Sequence, residues 1–513
     1  TGNAIEISPI SCPIEKFGSF TKAAHRILMS ATTQDDSFFI KGFGFTANEV
    51  QQPLTDKVQK WSGEKMILFP SLIDEKLSRL SMIKLFSNEK IAVSRFSIVP
   101  SFYMSQDYHY EGCVVANKNS LNGIIENIRR GQRNNLNVLV NRYDGVNLPD
   151  NDCRILIVDS LPICDNLSDR YEMECREGSE VTILKQVQKI EQGLGRSVRG
   201  EKDYSVIIII GSDLVNFMMN HRTASYFSLQ TRKQIEIANE WVESLRQEIL
   251  DSADSRKNLL DLIGQSLKRD PNWKAYYQQE MDSMSEVEDN HHVYAIMEKE
   301  REYEYAAYNR NYEKACTIVS EVINMCAGNP QEQAWYQQIL ARYKFFISQI
   351  DSIHIQKAAF EKNSRLLYPQ NGIDYKKLEF RSGEQLTNIQ CWFKKFKSYQ
   401  EMRIKSKVIF DNLSFGRASN LFEEALKDVG EMLGFESQRP DNEYKVGPDN
   451  LWCGVHNQYL FFECKNEAKK DRITIKKTEA GQMNNHSAWF KEKYSDAEVC
   501  RIFVAPSKEQ KQK

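Results

Sequence analysis

Two carboxylates and a lysine near the C-terminus carry the plainest chemistry in the chain. Asp449 follows Gly447-Pro448, Glu463 lies fourteen residues on, and Lys465 stands two residues beyond it. A carboxylate pair suits Mg²⁺, which prefers oxygen ligands, keeps several waters and takes few groups from the protein. In an extended strand residues i and i+2 point to one side, which puts Lys465 beside Glu463. An ammonium there can orient an attacking water and neutralise charge developing on a phosphate. The chemistry this spacing allows is metal-assisted hydrolysis of a phosphodiester, with Asp449 and Glu463 as metal ligands and Lys465 as the aligning cation. A Glu and a Lys at i, i+2 are also the ordinary make-up of a solvated sheet edge.

A second group suits anions. Gln192, Gly195, Arg196 and Arg199 fall in the pattern Q-x-x-G-R-x-x-R, just ahead of the apolar run Val206 to Ile210. Two arginines three apart on a helix share a face and can grip one anion together, or pair with surface carboxylates. The pattern predicts a helix carrying the pair and then a strand buried on both faces. A third group, Cys391 to Lys407, interleaves Lys394, Lys395, Lys397, Arg403, Lys405 and Lys407 with Trp392, Phe393, Phe396 and Tyr399. Cations that track a phosphate backbone beside aromatics that stack bases suit nucleic acid. The competing reading is an amphipathic element with its aromatics in the core.

The elements that must position these groups follow from hydrophobic spacing. Apolar runs at 65–69, 91–99, 138–140 and 154–158 read as strands, alternating with helical stretches such as 73–86. That alternation predicts a parallel α/β sheet. Residues 26–29 read as a further short strand. From 216 to 415 the chain is polar and helical. In 231–251, Ile235, Ile237, Ala238, Trp241, Val242, Leu245 and Ile249 recur near a 3.6 period, which predicts a helical domain packing its own core. Residues 416–513 predict a small α/β unit: an amphipathic helix over 419–433, a strand entered at Gly447-Pro448, and a strand over 459–462 continuing into Glu463-Cys464-Lys465. A charged helix over 477–494 and a strand over 499–504 complete it.

Set in this order, the motifs resemble two families. Residues 20 to 215 resemble superfamily 2 helicases of the restriction and defence type. Ser30-Ala31-Thr32 is similar to their motif three, Arg142-Tyr143-Asp144-Gly145-Val146-Asn147-Leu148-Pro149 to motif five, and Gln192 to Arg199 to motif six. Those proteins usually carry Asp where this chain has Asn147, and an amide there can still hydrogen-bond. The resemblance implies the end of a first RecA-like motor domain over 1–50 and a second RecA-like helicase domain over 51–215. It also implies ATP contacts through Gln192, Arg196, Arg199, Asp144 and Gly145, the arginines reaching a γ-phosphate held on a neighbouring domain. Neither G-x-x-x-x-G-K-[ST] nor an acidic motor motif ahead of Ser30 occurs. ATP is therefore expected to bind only with the first motor domain supplied, from the rest of a longer chain or from a partner subunit.

Residues 416–513 resemble the PD-(D/E)xK nucleases of the restriction endonuclease type, through Pro448-Asp449 and Glu463-x-Lys465. This resemblance implies Glu423, on the preceding helix, as a further acid of the site. It implies Gln482, with His486 four residues on, as the Q-x-x-x-[YH] face of the following helix. Together the resemblances imply a Mg²⁺-dependent helicase–nuclease acting on DNA in bacterial restriction or anti-phage defence, with RNA kept open as a target. The alternative is a DNA-binding helicase subunit whose nuclease fold is inactive.

The totals narrow the setting. Lys+Arg is 68 and Asp+Glu is 70, a net charge of −2, so nucleic-acid contact must rest on local basic patches. Eleven cysteines without C-x-x-C and eight histidines without ligand spacing predict free thiols in a reducing compartment rather than a zinc site. No apolar run reaches membrane-spanning length and no leader is recognisable, so a cytoplasmic location is expected.

Overall fold

A computed structural model describes the chain apart from residues 1–4, 8–13, 30–36, 53, 55–60, 89–90, 118, 134, 144, 165, 201, 252–254, 285–292, 371, 382, 469–475, 496 and 507–513, and the side chains of 247–251. The chain divides into two compact units, Thr1–Ser352 and Ile353–Lys513.

Six strands build the first unit: β1 (Glu64–Leu68), β2 (Arg95–Val99), β3 (Val114–Ala116), β4 (Leu136–Val140), β5 (Ile155–Asp159) and β6 (Tyr204–Ile210). They lie in the order β1-β6-β5-β2-β4-β3, and every pairing is parallel. Every residue of β2 and β5 is buried, as is β6 from Ser205 onward. A sheet covered on both faces has no wet side, which is why its sequence reads as unbroken β-branched runs. Between the strands run α1 (Arg79–Phe86), α2 (Phe102–Tyr110), α3 (Leu167–Cys175) and α4 (Glu180–Leu194). At the carboxyl ends of β5 and β6, Gly211 has φ +87°, and a Cβ there would meet the Ser160 backbone at 2.8 Å. Only glycine allows both the conformation and the approach.

Of the stretch expected to be helical over 216–415, the described residues are mostly helical up to Lys362 and again from Gln385, with 363–384 non-helical where described, and the stretch is shared between the two units. α5 (Leu229–Asp251) lies on β1 and α6 (Ser255–Leu267) on β6. Ile235, Ile237, Ala238, Val242 and Leu245 are buried, as the spacing predicts; the Ile249 side chain lies outside the described residues. α7 (Val293–Tyr308), α8 (Tyr312–Met325) and α9 (Pro330–Lys344) share a core that also takes in Ile40, Val50, and Val181 and Leu184 of α4. A charged network crosses it. Arg176, at the end of α3, is bonded to Glu332 and to Glu172 at 2.6 Å. Its Nη2 donates to Tyr336 at 2.8 Å, and Tyr336 donates to Glu300 at 2.6 Å. Lys41 sits 2.5 Å from Glu300 and 3.0 Å from Glu304.

Two expectations for this unit change. Residues 26–29 form no strand, and Ile27 and Met29 are exposed; among the described residues no neighbouring strand pairs with them. Ser30-Ala31-Thr32 lies outside the described residues. The helix expected over 73–86 is two: a short turn, Pro70–Ile73, and α1, whose N-cap Ser78 accepts from the Ser81 amide. The cap draws the chain into a new start instead of a continuous helix.

The second unit carries α10 (Gln385–Phe393), α11 (Tyr399–Asn412), α12 (Ser419–Met432), β7 (Glu436–Gln438), β8 (Asn450–Cys453), β9 (Tyr459–Cys464), α13 (Lys477–Tyr494) and β10 (Val499–Val504). The strand order is β10-β9-β8-β7, with β10 parallel to β9 and the other pairs antiparallel. Phe422 of α12 packs with Trp452, Phe462 and Cys464 on one face of the sheet. Phe490 and Tyr494 of α13 pack with Leu451, Tyr459 and Phe461 on the other. Tyr375, Leu378 and Phe380 join that second cluster, and Tyr459 donates to the Leu378 carbonyl at 2.8 Å. The core of this unit therefore draws on residues ahead of 416. Among the described residues, no helix is long and apolar enough to cross a membrane, and the described cysteines are free thiols.

Candidate active site

In the second unit, β8 and β9 run antiparallel with Asn450 opposite Phe462, which brings Asp449 level with Glu463. Gly447, at φ +78°, makes the bend ahead of Pro448-Asp449, and a Cβ there would stand 2.7 Å from the Trp489 ring. Asp449 Oδ2 accepts from the Cys464 amide at 2.6 Å. Glu463 is fully buried. Its Oε1 accepts from Lys465 Nζ at 2.9 Å, and its Oε2 faces His486 Nδ1, on α13, at 2.8 Å. Lys465 Nζ also lies 3.9 Å from Asp449 Oδ2. From the other face, α12 supplies Glu423, which accepts from Arg439 Nη2 at 2.7 Å. The same buried guanidinium donates to Glu424 and to Asn420, each at 2.9 Å. Asn450 Nδ2 holds the Glu423 carbonyl at 2.9 Å, so strand and helix are pinned at the site.

The electrostatics follow from this crowding. Burial, with Glu463 and Glu423 nearby, pushes Asp449 up to about 7. Burial also raises Glu423, despite Arg439. Glu463 moves the other way: burial would raise it, but hydrogen bonds from His486 and Lys465 hold it below the usual range. His486 is raised chiefly by its bond to Glu463. Lys465 is raised as well, since Glu463 and Asp449 outweigh its burial. A carboxyl whose pKa is raised beside two other carboxylates is the condition a bound cation relieves.

The first unit presents the arginines differently from expectation. α4 ends at Leu194 with Gly195 as its cap, so Gln192 lies in the last turn and both arginines lie beyond the helix. Glycines at 193 and 195 weaken the helix just where the pattern required it to continue. Arg196 is buried and turned inward. Its Nε donates to the carbonyls of Tyr143 at 2.7 Å and Gln192 at 2.9 Å, and its Nη1 to that of Val146 at 2.8 Å. It therefore clamps the loop that follows β4. Arg199 is exposed and bonds Asn147 of the same loop. Gly145, at φ +70°, is exposed in that loop, and Asp144 lies outside the described residues.

Residues 58–232 match the helicase C-terminal domain family. No curated protein matches the chain. The helicase match covers the whole parallel sheet and runs into the start of α5, and it indicates a helicase-type, nucleic-acid-processing function.

Of the residues singled out in the sequence, the structure brings Asp449, Glu463, Lys465 and His486 together and places Glu423 close enough to act electrostatically on Asp449, its backbone held by Asn450 and its carboxylate by Arg439. Gln482, one turn before His486, is exposed and outside this hydrogen-bonded group. In the first unit it joins Arg196 and Arg199 to one loop, on separate atoms, without placing both side chains on one open face. Arg439 was not foreseen. Its only local signal is a cation beside Pro440 after a three-residue polar strand, and its acidic partners stand far away in sequence on α12.

Proposed function

We propose that this chain is part of a DNA-processing helicase–nuclease and that its second unit hydrolyses phosphodiester bonds with Mg²⁺, in bacterial restriction or anti-phage defence. The observation that supports the reading most is the convergence of Asp449, Glu463 and Lys465, from two antiparallel strands, with a third carboxylate beside them. Among the described residues no ready-made cage of three or more His, Cys, Asp or Glu side chains forms. Two carboxylates and open coordination fit a cation that keeps its waters. Asp449 and Glu463 are the residues that would hold it. When bound, Mg²⁺ would polarise the scissile phosphate and lower the pKa of a water.

The chain's own groups have separate tasks. Glu463 is oriented from both sides by Lys465 and His486, so its carboxylate cannot swing away. Lys465 keeps an ammonium within reach of both acids, where it neutralises charge gathering on the phosphate. Asp449 is aimed by the Cys464 amide, and Glu423 by Arg439. In the helicase domain, Arg199 is the exposed guanidinium available to a nucleotide, whereas Arg196 already serves three carbonyls and fits that role less well. Neither supports a step through ATP in this chain.

The reading is tested by nicking of supercoiled plasmid in Mg²⁺. Glu463→Ala and Lys465→Ala are expected to abolish cutting while leaving DNA binding largely intact. Cutting at the wild-type rate by either variant would refute the assignment.

A further inference from the structure

The face of α10 and α11 has no role in the site just described. Trp392, at the end of α10, is buried with Ile409 and Ala425. Phe396 packs on it at 4.8 Å and Phe393 touches it at 5.4 Å. That anchor ties the short connection between the helices to the core. Around it the remaining aromatics point outward: Phe393 is 48% exposed, Tyr399 74% and Phe410 53%. On α11, Tyr399, Arg403, Lys407 and Phe410 are spaced four, four and three apart and so line one stripe, while the buried Ile404 and Ile409 lie off it. At 1.5 Å per residue the stripe is about 16 Å long. Lys394 and Lys397, in the connection, extend it toward Phe393.

Charge decides what such a face suits. Lys395 is taken by Glu431 at 3.3 Å and Lys405 by Asp428 at 3.4 Å. Among the described residues no carboxylate lies within ion-pair distance of Lys394, Lys397 or Lys407, and all three are exposed. The chain as a whole is slightly acidic, so this is a local concentration of unneutralised cations between open aromatic rings. A protein-binding hot spot would depend on a contiguous apolar centre depleted of lysine. Alternating rings and ammonium groups instead match the alternation of base and phosphate, and a ring is open for stacking only to an unpaired base.

We propose that the α10–α11 face, from Phe393 through Tyr399 and Lys407 to Phe410, is a binding platform for single-stranded nucleic acid. It rests on the reading of the chain as nucleic-acid-processing and assigns the strand form that the second unit holds. The rings stack on bases and the lysines follow the backbone, so the two sets of side chains leave different signatures. Stacking contributes affinity that salt barely alters, whereas each neutralised phosphate steepens the salt dependence.

The test is fluorescence anisotropy of a labelled oligothymidine of about 20 nucleotides, in EDTA so that no cutting intervenes, with the full 513-residue chain. Tyr399→Ala/Phe410→Ala is expected to weaken binding about tenfold or more and leave the slope of log affinity against log salt unchanged. Lys394→Gln/Lys407→Gln is expected to lower that slope by about 0.7 for each phosphate no longer neutralised. Tyr399→Phe/Phe410→Tyr keeps the rings and is expected to bind as wild type. All these positions are exposed, and unchanged melting temperatures confirm that the variants fold. Wild-type binding that both double variants retain in full overturns this proposal alone and leaves the face to a protein partner. A wild-type chain that binds neither single-stranded nor duplex DNA overturns the nucleic-acid reading and this proposal with it.

Discussion

At Arg439 one buried guanidinium serves Glu423, Glu424 and Asn420, so its loss leaves the half-buried Glu423 carboxylate without its hydrogen-bonded cation, while Glu424 keeps Arg365 at 2.9 Å. Arg439→Met is expected to cost about 3–5 kcal/mol, read as a lower melting temperature, and to reduce cutting because Glu423 is no longer aimed. Arg439→Lys is expected to recover only part of this, because an ammonium cannot reproduce the fork across three acceptors. Arg196 and Arg199 should separate just as clearly. Arg196→Met leaves the Tyr143 and Val146 carbonyls without their donor and is expected to destabilise by about 2–4 kcal/mol. Arg199→Ala, at an exposed position, should stay within about 0.5 kcal/mol; urea unfolding of the two variants reads the contrast, and equal losses would contradict it. The Glu463–Lys465 pair was legible because a period of two in a strand fixes which side chains stand together, whereas Asp449 joins them only through the register of β8 on β9. Arg439 was not, because its partners are tertiary neighbours. The arginine pair was misplaced because three-residue spacing says nothing about whether the glycines at 193 and 195 let the helix run on.

Elements read from the sequence succeed where an apolar run or a 3.6 period is clear, as in β1, β2, β5, β6, β9, α5 and α12. They fail at β3 and β7, each three residues long and held by a neighbouring strand rather than by any hydrophobic pattern of their own. Also illegible was the network joining α3, α7 and α9, since each member looks like an ordinary surface charge until the helices pack. Its consequence is a pH dependence. Burial, with Glu300 nearby, pushes Glu304 up to about 7 against an ordinary value of 4.5. The folded state therefore holds that proton more tightly than the unfolded chain does. The contribution is fully present below the unfolded value and is lost as pH rises through the folded one. Glu304→Gln, which can still accept from Lys41, is expected to raise the melting temperature relative to wild type at about pH 8 but not at about pH 4. A difference that does not vary with pH would contradict this assignment.

At the scale of the molecule, composition and motif order separated a parallel-sheet unit from a small mixed-sheet unit, but could not place the boundary. The reason is visible in the cores: Tyr375, Leu378 and Phe380 complete one face of the C-terminal sheet, and Trp392 anchors helices beside α12. Nothing in the sequence of 353–415 distinguishes those residues from the helices that precede them. A fragment of residues 349–513 is accordingly expected to melt cooperatively by circular dichroism. Residues 416–513 alone, missing those side chains, should melt at lower temperature or without a cooperative transition; equal melts would contradict the shared core. The central claim is that the carboxylates of this unit cut DNA, and the most direct measurement is conversion of supercoiled plasmid to nicked or linear form by the purified chain, with no nucleotide added, in Mg²⁺ and in EDTA. Cutting in Mg²⁺ that EDTA abolishes is the predicted result; an intact plasmid in Mg²⁺, or cutting that persists in EDTA, would contradict it.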